Sequence, residues 1–77
     1  MSDINIAFSR SLLSLVNKDL KQHFPAINPR KDAWVWKAGR QWEFHGPERF
    51  YDTFRADNAY EARAKGWAAW MRSKGIE

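Results

Sequence analysis

Few groups in this chain could do chemistry, and their spacing argues against catalysis. It has two histidines, His23 and His45, and no cysteine, so a structural zinc site lacks its usual donors. Ser9, Ser11 and Ser14 fall on a predicted helix surface, with nothing placed to activate them. No Walker loop, no Ser/His/Asp order and no suitably spaced acidic pair is readable. The chain is expected to be non-enzymatic, with no metal and no cofactor. What remains is recognition chemistry, and two residue sets offer it.

The first set is cationic. Arg10, Lys18 and Lys21, with Arg30 and Lys31 nearby in sequence, could present one positive surface to phosphates or another acidic partner. The alternative is an ordinary solvated face. The second set is aromatic. In "WVWKAGRQWEFHGP", residues 34–47, Trp34 and Trp36 alternate, and so do Trp42 and Phe44. Rings on an open sheet could stack bases or dock a protein; rings on a closed one build a core. The core reading is the expected one, because two amphipathic helices need an apolar face to cover. Trp70 falls to one flank of the second helix, where it either wraps the sheet edge, the preferred reading, or serves as an exposed interface ring.

The elements that must position these groups follow from periodicity. A helix is predicted over residues 3–23, capped by Ser2 or Asp3. Phe8, Leu12, Leu13, Leu15, Val16, Leu20 and Phe24 form its apolar stripe, and Pro25 stops it. "PAINPRKDA", residues 25–33, is a connector. Two strands follow, with Gly39 in the turn between them. Keeping Trp36 opposite Trp42 requires a three-residue or bulged loop. A slip of one residue would instead pair the tryptophans with Gln41 and Glu43. In the expected register the solvent face shows Lys37, Gln41, Glu43, His45 and Arg55.

"HGP", residues 45–47, is a second turn. "RFYDTFRA" reads either as a third strand, with Phe50 and Phe54 on one face, or as a helical turn after Pro47; the strand is the preferred reading. The last helix is predicted over residues 58–74, with Asn58 and Glu61 as a capping-box-like start and Gly75 as terminator. The fold class is therefore α+β: α-β-β-β-α, a small antiparallel three-stranded meander with two helices packed on one face. Its expected core is Phe8, Leu12, Val16, Leu20, Trp34, Trp36, Trp42, Phe44, Tyr60, Ala64, Trp67 and Met71.

Totals bound the rest. A chain of 77 residues makes one domain, near the lower size limit for unaided folding. Five tryptophans and 16% aromatic residues supply burial where disulfides do not. The absence of cysteine fits a reducing compartment, and no stretch approaches the ~20 apolar residues of a membrane span. A cytoplasmic protein with no membrane partner is expected. The balance of 13 Lys+Arg against 9 Asp+Glu, net +4, permits an acidic partner without requiring one.

The element order resembles the double-stranded RNA-binding domain, and "AKGWAAWM", residues 64–71, is similar to that family's "AKxxAAxxAL" packing pattern. The resemblance implies the fold. The family's phosphate-reaching lysines at the start of the second helix correspond here to Glu61 and Ala62, and only Lys65 matches. The long first inter-strand loop, with its Gly-Pro and His, has no counterpart. Two functional readings therefore stand. One is a protein-binding adaptor or inhibitor, of the kind phages and other mobile elements encode. The other is a nucleic-acid-binding accessory protein using the basic first helix. Partner identity and oligomeric state are left open.

Overall fold

A computed structural model describes residues 3–76, with side chains from residue 6 to residue 76. The order is α1 (Asp3–His23), β1 (Trp34–Ala38), β2 (Gln41–His45), a 3-10 turn (Pro47–Arg49), β3 (Tyr51–Phe54) and α2 (Ala59–Ser73). The sheet is antiparallel, ordered β1-β2-β3. Both helices lie on one side of it. α2 rests directly on all three strands, while α1 packs along α2 and reaches the common core through Leu20. The capping expected of Ser2 or Asp3 lies outside the described side chains.

α2 is delimited as its sequence predicts. The Asn58 side chain accepts from the Glu61 amide at 2.9 Å, and Glu61 Oε1 accepts from the Asp57 amide at 2.6 Å. At the other end Gly75 takes φ +87°. The Ile76 and Gly75 amides donate back to the carbonyls of Met71 and Arg72, the paired bonds of a Schellman stop. Between these ends Gly66 faces the Phe44 ring so closely that a Cβ there would stand 2.0 Å from Cδ1. The small residue is what lets helix and sheet approach.

The core joins Leu20, Ala33, Phe44, Trp67, Trp70 and Met71, with Val16, Phe24, Val35, Phe50 and Phe54 packed around it. Trp67 meets Phe44 and Trp70 edge-on, with centroids 5.4 Å away in each case. Its indole N–H donates to the Pro29 carbonyl at 3.3 Å, tying the connector to α2.

Several expected core residues are elsewhere. Phe8 is 71% exposed and Leu15 is also exposed, because α1 is covered mainly by one helix and so buries a narrower strip than its apolar stripe. Tyr60 is exposed beside Arg10. Leu12 and Trp42 are half-buried.

The largest correction concerns β1. The turn between β1 and β2 has two residues, Gly39 and Arg40, not three, and pairs Trp36 with Glu43 and Lys37 with Trp42. Gly39 has φ +64° and Arg40 is not among the left-handed residues, as a two-residue turn with glycine first requires. An even loop places Val35, Trp42 and Phe44 on the inner face and turns Trp34 and Trp36 outward. They are 49% and 50% exposed. The third strand forms as preferred, with Phe54 facing inward beside Trp42. Asp52, also inward, sits on an edge strand in a groove shared with Lys65 and Arg72, where a carboxylate is tolerable.

Candidate functional site

The outer face of the sheet is the most distinctive surface of the molecule. Pairing aligns Trp34 on β1, His45 on β2 and Tyr51 on β3 in one row, and Trp36, Glu43 and Thr53 in the next. Directly paired residues share a face, so these six side chains form a patch that neither helix covers. Trp34 stacks flat on His45, with centroids 5.1 Å apart and planes within 2°. Tyr51 meets the other side of His45 edge-on at 5.0 Å, and Trp36 leans over the same ring at 4.9 Å. Four rings from three strands thus make one continuous aromatic surface.

Glu43 lies at its centre. Its Oε1 accepts the Trp36 indole N–H at 2.7 Å, and His45 Nε2 lies 3.2 Å from the same oxygen. These bonds, that of His45 foremost and then that of Trp36, hold the carboxyl below the ordinary glutamate range against the opposing effect of burial. Desolvation, followed by the nearby Glu43 charge, pushes the Tyr51 phenol above its ordinary value. Glu43 is accordingly an ionised acceptor near neutral pH, wedged among rings. None of the six paired positions is a lysine or arginine; Arg40, Arg49 and Arg55, all exposed, lie beyond those two rows.

Sequence reasoning anticipated Gln41, Glu43 and His45 on this face but missed Trp34, Trp36 and Tyr51 as its working rings. One signal could have found them. A glycine followed by one polar residue between two alternating runs is the mark of a two-residue turn, and that parity puts Glu43 opposite Trp36.

Trp70, the candidate for an exposed interface ring, is 2% exposed. It is enclosed by Phe24, whose centroid is 4.7 Å away, and by Trp67, with the Lys74 ammonium over its ring. α1 closes over that flank of α2, which a helical wheel of α2 alone does not show. Trp70 is therefore a core residue and no contact surface.

The cationic set is divided. Arg10, Lys18, Lys21, Arg30 and Lys31 are all exposed. Arg10 and Arg30 are brought to one groove, lined also by Leu13, Ser14, Asn17 and Tyr60; Lys18, Lys21 and Lys31 do not line it. Among the described residues no group of acidic or histidine side chains has the arrangement of a metal site, and no helix is long and apolar enough to cross a membrane. No family model, no curated protein and no solved structure matches this chain.

Proposed function

We propose that this chain is a small interaction module, without catalytic chemistry of its own, that docks a protein partner on the open face of its sheet. The observation that carries the reading is the half-exposure of Trp34 and Trp36 on a face with no described covering element. Large rings left in water beside one another are costly to a monomer, and clustered exposed aromatics are characteristic of contact sites. Four rings in van der Waals register also form a rigid surface, so docking would sacrifice little side-chain freedom.

Charge favours protein over nucleic acid. A strand stacked on these rings would need cations beside it to follow its phosphates. The centre of the ring cluster offers instead the carboxylate of Glu43, which opposes a polyanion, and the arginines stand only beyond its paired rows. A partner surface with an apolar patch and an arginine or lysine matches it better, since such a cation can meet Glu43 and lie over a Trp ring at once.

Photocrosslinking tests this directly. A photoreactive residue at Thr53, beside Glu43, should give a discrete protein adduct in the native host, and one at Ser11 on α1 should not give the same adduct. The adduct should vanish with Trp34→Ala/Trp36→Ala and with Glu43→Lys. No adduct at position 53, a nucleic-acid adduct, or one indifferent to both variants would defeat the reading. A self-adduct would show a second copy as the occupant and defeat it equally.

A further inference from the structure

On the helical side, away from the aromatic face, α1, the connector and the start of α2 enclose a polar groove of about 310 Å³ lined by Arg10, Leu13, Ser14, Asn17, Arg30 and Tyr60. Its size is at the lower end of the roughly 300–1,000 Å³ of ligand sites, too small for a large cofactor and adequate for one phosphate-bearing group. Both charged residues lining it are arginines, from elements twenty positions apart, and no acid lines it. Its remaining polar groups are a hydroxyl, a phenol and a carboxamide, all able to donate to an oxyanion.

Each arginine is carried on a fixed support. Arg30 sits in a tight turn closed by Asn28 and Asp32. The Asn28 side chain accepts from the Arg30 amide at 3.0 Å, and Asp32 Oδ2 accepts from the Asn28 amide at 2.7 Å. The preceding Pro29 carbonyl is held by the buried Trp67. Arg10 lies over the Tyr60 ring, 5.8 Å from its centroid. At the adjacent residue α1 is pinned to the start of α2, where the Asn58 side-chain NH2 donates to the buried Ser9 hydroxyl at 3.1 Å. Asn17 also lines the groove; its Oδ1 is buried with no hydrogen-bond partner, so of its carboxamide only the NH2 suits an oxyanion.

We infer that this groove is an oxyanion site that takes a phosphate group between Arg10 and Arg30, with Ser14, Asn17 and Tyr60 as neutral donors. Arginine suits the task because its planar fork can give two parallel bonds to one phosphate. Two arginines from different elements lining one groove distinguish this place from the lysines, which offer single solvated charges. The phosphate could belong to a nucleic-acid backbone or to a small phosphorylated compound; the chemistry recognised is the same.

The test uses the whole chain, labelled for NMR, at constant ionic strength set with chloride. Titration with inorganic phosphate should produce saturable shifts at the Ser14 and Arg30 amides and the Asn17 side-chain NH2. A short mixed-sequence oligonucleotide is then compared at equal phosphate concentration. Binding at least tenfold tighter assigns the site to a backbone phosphate, with a salt dependence that shallows by roughly 1.5 to 2 in the double variant. Equal or weaker binding assigns it to a small phosphate compound. In either case Arg10→Gln/Arg30→Gln should weaken binding at least tenfold, Arg10→Lys/Arg30→Lys severalfold, and Lys18→Gln less than twofold. Core amide signals report that each variant is folded. The proposal is overturned if neither ligand shifts these residues saturably, or if the double glutamine variant binds like the parent.

Discussion

β1 and β2 carry nearly the same pattern, two large rings separated by one residue, yet the rings meet opposite fates. Trp42 and Phe44 turn inward, where Phe44 is wholly buried against Gly66 and Trp67. Trp34 and Trp36 turn outward and remain half in water. Hydrophobicity does not separate the two pairs, since both are large aromatic rings and both include tryptophan. The turn separates them. With two residues between the strands, a residue on β1 faces the same way as its direct partner on β2, and Trp36 is partnered by Glu43. The inner face then receives Val35 from β1, a smaller residue that fits under a closely packed α2. The lesson is that alternation defines two faces of a strand, while the parity of the loop decides which face the core takes.

This contrast can be broken most forcefully by deletion. Phe44→Ala should cost about 3–5 kcal/mol, as for buried rings removed from a core, and Trp36→Ala only about 1 kcal/mol, the scale of a cross-strand pair. Urea unfolding followed by circular dichroism measures both. Equal costs would mean that the outer rings are structural and would remove the main support for a docking face.

The turn itself gives an intermediate effect. Gly39 has open space around its Cα, with nothing within 4 Å of an added Cβ, so Gly39→Ala isolates the backbone term. Its φ of +64° should make that substitution cost about 1–2 kcal/mol. A smaller cost would show that the turn geometry, and the register it enforces, is less constrained than the pairing implies.

The smallest effect sharpens the outer face alone. Glu43 has a lowered pKa in the folded chain, so its contribution is present above the ordinary glutamate value of 4.5 and is lost as pH falls through the lower folded value. Stability measured from pH 6 downward should therefore decline more steeply for the parent than for Glu43→Gln, with the difference confined to the acid side. Parallel profiles would dissociate the carboxylate from the Trp36 and His45 bonds.

Much of the architecture was legible in the chain. The 3.6-residue periodicity and the Asn58, Gly75 and Pro25 signals set both helices, and alternation set the strands. Phe50, Asp52 and Phe54 foretold the third strand, including the awkward inward carboxylate. The candidate sites were legible only in part. Glu43 and His45 were anticipated on the solvent side because β2 was oriented correctly, and the error in β1 followed from preferring tryptophan over valine for the core. Which of the two readings of Trp70 holds was not legible in α2, because its cover includes Phe24, just beyond α1 and far away in sequence. Arg10 and Arg30 could be named as cations, but their convergence needed the connector's fold.

By itself, then, the sequence determined local periodicities and the stops that punctuate them, because these depend on neighbours within one turn of helix or one step of strand. The tertiary structure alone decided which of two equally aromatic faces is closed, that α1 seals Trp70, and that two arginines share one groove. Those outcomes depend on how distant elements divide a limited area of cover, a quantity that no single stretch of sequence contains.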